Sequence, residues 1–158
     1  AITTRMSSGM PDLTGLSISD VATASTLTLA ADTISVIDYT GAAACAATLP
    51  AATAGTVVVY AQAKDTTGGT ATLSFDCAGS DVFATGSVIE SRGSSEVTFD
   101  TSAASETLLT FTPANAATNL FTTGSMIAFV CYEDGTYHIA SKMGGADDAT
   151  TGAFVFAS

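Results

Sequence analysis

The chain has 158 residues, 47% of them hydrophobic and only 12% charged, so it fits one domain that can bury a sizeable core without a metal or disulfide staple. Fifteen acidic residues against four basic ones give a formal charge of −11, which repels phosphate backbones and anionic lipid and argues against nucleic-acid or membrane partners. No stretch approaches the roughly 18 apolar residues of a spanning helix, and the start, Ala1-Ile2-Thr3-Thr4-Arg5-Met6, lacks the basic and apolar regions of a signal peptide.

Residues 1–25 read as an extended N-terminal arm. Met6-Ser7-Ser8-Gly9-Met10-Pro11 has no periodicity and carries two breakers, and such an arm orders only against a partner. Leu16 to Val21 alternates briefly, which leaves an edge strand as the other reading of that stretch. Ala1 reads as the residue exposed after removal of an initiator Met, giving the expectation of a complete chain made in the cytosol.

From Thr26 the alternation sharpens. Leu27 and Leu29 share one face of a short strand, Ile34 and Val36 one face of the next, with Ala31-Asp32 between them. Gly41 to Ala47 is alanine-rich, yet it reads as a loop entering a strand, because Leu49-Pro50 stops it and no large apolar stripe would anchor a helix. The segments Thr56 to Ala63 and Thr70 to Asp76, joined by Lys64-Asp65-Thr66-Thr67-Gly68-Gly69, read as a β-hairpin.

Further strands are expected around 87–90, 96–101 and 107–112, the spacing of an all-β sandwich or barrel. The sharpest local signal is the last hairpin, where Met126 to Tyr132 runs almost wholly apolar, Asp134-Gly135 turns the chain, and Tyr137 to Ser141 returns. An apolar run of that length implies burial on both faces. After Lys142 a Gly144-Gly145 break releases a tail whose Ala153-Phe154-Val155-Phe156 end is too apolar for water. The expected fold is therefore all-β: a compact antiparallel β-sandwich or barrel over 26–141, with the arm at 1–25 and a tail at 142–158 docking on the domain or on a neighbour.

Residues able to do chemistry are few. His138 is the single imidazole, and no Ser or Cys nucleophile is assigned to it by spacing. Glu90, Glu96, Glu133 and Asp134 are carboxylates without the aromatic platforms of a glycosidase cleft. Asp147-Asp148 and the Asp76…Asp81 pair do not match an EF-hand, and the glycines form no nucleotide-binding loop. Cys45, Cys77 and Cys131 are an odd, widely spaced set among small and apolar residues, read as buried thiols. The expectation is a protein that is not an enzyme, with no catalytic residues, no cofactor and no metal.

The run Ala47-Thr48-Leu49-Pro50-Ala51-Ala52-Thr53-Ala54-Gly55, then Gly69-Thr70-Ala71-Thr72-Leu73-Ser74-Phe75, then Gly124-Ser125-Met126 with Glu133-Asp134-Gly135-Thr136-Tyr137-His138-Ile139, resembles a β-domain module of tailed-bacteriophage virion proteins. In that family a "TLPAA-x-AG" turn opens a hairpin and a final Asp-Gly hairpin closes the domain; Tyr137 stands where Trp is common. The family includes capsid decoration (cement) proteins, head fibres and tail-fibre domains, commonly trimeric. The resemblance spans about residues 47–141 and implies no catalytic residues.

The expectation that joins these readings is a virion structural protein on the capsid surface. It would be a decoration protein whose partners are the major capsid protein and its own copies, as a homotrimer, bracing neighbouring capsomers. The alternative is a receptor- or glycan-binding domain of a tail fibre or adhesin. Contact candidates are Ile2, Arg5, Met6, Met10 and Leu13 in the arm, Arg92 in the body, where a lone guanidinium would form a local ion pair in a turn or pin a neighbour's carboxylate, and Phe154 and Phe156 in the tail.

Overall fold

The structure, a computed structural model, describes residues 16–21, 25–64, 69–92, 97–112, 124–142 and 153–158. Its strands are β1 (Ser17–Val21), β2 (Thr26–Thr28), β3 (Thr33–Ile37), β4 (Cys45–Thr48), β5 (Val57–Gln62), β6 (Leu73–Asp76), β7 (Val82–Phe83), β8 (Val88–Arg92), β9 (Val97–Thr101), β10 (Leu108–Thr112), β11 (Met126–Glu133), β12 (Thr136–Lys142) and β13 (Ala153–Ala157). Among the described residues there is no helix, so the all-β expectation holds. Six strands form one sheet in the order β1-β3-β5-β11-β12-β7, five form the other in the order β13-β10-β6-β4-β2, and β8 pairs with β9 alone.

The first six strands alternate between the two sheets. β1, β3 and β5 run parallel in one, and β2, β4 and β6 parallel in the other, so the chain winds as a flattened coil. Antiparallel strands then extend both sheets, β11 on β5 and β12 on β11 in one, β10 on β6 and β13 on β10 in the other, and β7 closes the six-stranded sheet in parallel with β12. The sheets are therefore mixed, which corrects the antiparallel expectation. The hairpin expected from Thr56 to Asp76 does not form either, because β5 and β6 enter opposite sheets. Their rings show why: Tyr60 meets Phe75 edge to face at 5.3 Å across the core, a contact between facing sheets. The turn residues between them bend the chain without deciding which sheet it enters next. Gly69 serves the crossover at φ 139°, where a Cβ would run into the Gly41 carbonyl.

Period-two alternation builds the core. In the five-stranded sheet one ladder row, Leu27, Ala47, Phe75, Leu109 and Phe156, is buried on every strand it crosses. Facing it from the six-stranded sheet are Val58, Tyr60, Ile127, Phe129, Cys131 and Tyr137, all in the same apolar cluster. Ile34 and Val36 do share a face, but it is the outer one; Thr33, Ser35 and Ile37 point inward. The one large polar side chain among these inward positions, Gln62, is fully served: its Nε2 donates to the Tyr39 and Lys64 carbonyls at 2.8 and 2.6 Å, and its Oε1 accepts from Tyr60 Oη.

The first and last described strands both join the sheets. β1 lies within the stretch read as an arm and forms the edge of the six-stranded sheet. β13 docks on this chain's own domain, pairing with β10, and its Phe156 amide also donates to Asp100 Oδ2 at 2.7 Å. Phe154 and Phe156, expected as contacts to other molecules, instead fill the core at 3% and 5% exposure, with Phe154 against Phe111 and Phe156 against Phe83. An apolar strand end buries its rings in the nearest core rather than holding them for a partner.

Candidate functional site

The loop that follows Thr48 and the Asp134-Gly135 turn meet in space. The loop Leu49 to Gly55 packs against the β11–β12 turn, and the two are knitted together. Gly135 N donates to Ala52 O at 2.8 Å, Gly55 N to Cys131 O at 2.9 Å, Ala54 N to Asp134 Oδ1 at 2.8 Å, and Tyr137 Oη to Pro50 O at 2.9 Å. A third segment joins them, since Asp81 Oδ2 accepts from Ala52 N at 2.6 Å. Asp134-Gly135 makes the turn at φ 82° for Gly135, as its sequence signature requires. The arrangement is a clip: it locks one end of the sandwich by spending side-chain polar groups on backbone.

The candidate reactive groups are kept apart. Cys131 points into the core, whereas His138, on the adjacent strand, lies on the outer face with its ring 4.8 Å from that of Tyr132. Cys45, Cys77 and Cys131 are free and buried. Burial, with Asp76 and Asp81 adding to it, pushes the Cys77 thiol up to about 12; burial also pushes the Cys131 thiol up to about 11 and raises Cys45. Desolvation likewise raises Tyr39, Tyr60 and Tyr137. Between a thiol's ordinary 9.0 and these raised values the native chain keeps protons that the unfolded chain releases. Stability is therefore expected to be flat in these groups below about pH 9 and to fall as pH rises above it; urea midpoints at pH 7 and about pH 10.5 check this. An unchanged midpoint would refute it.

Among the described residues no group of three or more His, Cys, Asp or Glu could hold a metal ion. Asp76 and Asp81 do not converge on one; Asp81 is engaged in the clip. Arg92 closes strand β8 rather than sitting in a turn. Ile2, Arg5, Met6, Met10, Leu13, Glu96 and the Asp147-Asp148 pair lie outside the described residues.

The two outer sheet faces differ in chemistry. On the five-stranded sheet the outer rows are Thr26, Ala46, Ser74, Thr110, Val155 and Thr28, Thr48, Asp76, Leu108, Ala157, every position open or half-buried. On the six-stranded sheet one row reads Ile18, Ile34, Val59, Ala128, Ala140 across five strands, with Val57 and Val130 beside it. Ile18 at the edge is 75% exposed, as Tyr132 is 52% exposed further along this face. The outward hydrophobicity of β3, β5 and β11 is visible in the sequence, but its assignment to an outer face is not.

No protein-family model matches the chain, and comparison with curated proteins and with solved structures finds no significant match.

Proposed function

We propose that this chain is a virion structural protein that decorates an outer capsid surface as an oligomer and braces neighbouring capsomers. What supports the reading is the clip. The two motifs that resemble the phage module, 80 residues apart along the chain at Ala54 and Asp134, form one hydrogen-bonded unit and serve rigidity. A cement protein works through stiff contact area, and the Thr-rich outer face of the five-stranded sheet, with exposed Val155, is contact area of low charge. The fibre or adhesin alternative has less support, since three of the four tyrosines, Tyr39, Tyr60 and Tyr137, are wholly buried, which leaves Tyr132, 52% exposed, as the single tyrosine ring open to a sugar.

The test is stoichiometry. Quantitative mass spectrometry of purified particles is expected to find the chain at a copy number matching the threefold sites of the capsid lattice. A handful of copies per particle would give the fibre reading, and absence from particles would end both.

A further inference from the structure

The core sets two of the three thiols opposite each other. Phe75 in β6 and Phe129 in β11 meet across the sandwich with ring centroids 5.1 Å apart. Both strands run toward the clip, β6 alongside β4, which leads into the 49–55 loop, and β11 into the Asp134-Gly135 turn. At the next inward position of each strand path stand Cys77 and Cys131, 5% and 1% exposed and in one apolar cluster. A facing pair of rings is thus followed by a facing pair of thiols. Cys45 is remote from both, because it lies opposite Leu73 in the ladder, roughly 13 Å along the sheet from Cys77.

The chain path draws the two together. Cys77 is the first residue past β6, and by Val82 the chain is already in the opposite sheet, paired with Thr136. Cys131 Sγ donates to the carbonyl of that same Thr136 at 3.1 Å. A disulfide holds its Cα atoms about 4.4–6.8 Å apart, closer than the roughly 10 Å between sheet planes, and a segment crossing between sheets is where the backbone leaves its plane to close that gap. The groups also feel one another: after burial, Asp76, Asp81 and Cys131 raise the Cys77 thiol, and after burial Cys131 and Cys77 are the largest influences raising Tyr137.

We propose that Cys77 and Cys131 are a disulfide-forming pair, which a low-molecular-weight disulfide such as glutathione disulfide oxidises to a covalent tie between the two sheets at the clip end. One thiolate attacks a glutathione sulfur and expels a glutathione thiolate; the other then attacks the chain's own sulfur in the mixed disulfide and expels the second. The pair gives up two electrons and two protons, and one glutathione disulfide becomes two glutathiones. Buried thiols held above their ordinary range react slowly inside the closed fold, so the bond forms as the chain folds or when the clip opens. The pairing is independent of the virion reading.

Chain statistics and the fold select different pairs. Among the three cysteines, loop closure alone favours Cys45 with Cys77, the shortest loop, roughly twofold over Cys77 with Cys131. The test refolds the full chain from its reduced, denatured form in a buffer of reduced and oxidised glutathione, then maps the disulfides by non-reducing digestion and mass spectrometry. The expected result is Cys77–Cys131 in roughly tenfold or greater excess over Cys45–Cys77, with Cys45 a free thiol, and a urea midpoint above that of the reduced chain that falls back on reduction. The statistical ratio, a predominance of either Cys45 pairing, cross-links between chains, or three free thiols would each overturn the proposal. A Cys77–Cys131 product less stable than the reduced chain overturns it too, since a bond that strains the fold is not one the fold prepares.

Discussion

Replacing Phe129 with alanine is expected to cost about 3–5 kcal/mol of stability. Phe129 sits in β11, flanked by β5 and β12 near the middle of its sheet, and is wholly buried. Its ring meets Phe75 of the opposite sheet with centroids 5.1 Å apart, and Phe83 and Tyr137 of its own sheet at 6.1 and 6.4 Å, and so ties the two sheets together. Strands held on both sides by ladder hydrogen bonds cannot close over the space left by a lost ring, which places the cost in the cavity-forming range rather than at simple transfer. Guanidinium denaturation at constant slope measures it, with exposed Val155→Ala as the control. A loss below about 1 kcal/mol would mean that the two sheets do not share one core.

The second large effect is expected at the clip. Asp81→Ala should destabilise by about 2–3 kcal/mol, because it removes a charge-assisted acceptor and strands the amide of Ala52, a residue only 6% exposed. Asp134→Ala should cost less, since the Ala54 amide it leaves behind is exposed and finds water. Asp81, just before β7, and Tyr137, in β12, hold the same short loop through Ala52 and Pro50. A double-mutant cycle of Asp81→Ala with Tyr137→Phe is therefore expected to show a coupling above about 0.5 kcal/mol. Strict additivity would mean that the loop and the turn are not one unit, and the support that the clip lends to a rigid decoration domain would go with it.

Much of the strand inventory is legible in the sequence. β8, β9 and β10 lie within a residue or two of where alternation and turn residues put them, and Asp134-Gly135 announced the β11–β12 hairpin because a type of turn that needs positive φ selects its own residues. The continuous apolar run of β11 correctly implied burial on both faces. The clip is half legible: its two motifs stand out, but nothing in either says that they touch, and the Asp81 carboxylate that holds Ala52 gives no local signal. The contact role expected of Phe154 and Phe156 failed for a related reason, since a sequence shows that a tail is apolar without showing how near its own core lies.

By itself, then, the amino-acid order determined the all-β class, most strand positions, the last hairpin and the buried character of the three cysteines, because each of these depends on neighbours within a few residues. Only the tertiary structure decided that β5 and β6 part company into facing sheets, that β1 to β6 wind as a parallel coil, and that Ile34, Val57, Val59 and Val130 look outward from the main core. A strand with apolar residues on both sides is equally content with either face inward, and a turn between two strands is equally compatible with pairing and with crossing over. Those choices are made by the summed burial of distant partners, such as Tyr60 against Phe75, which no short stretch of chain contains.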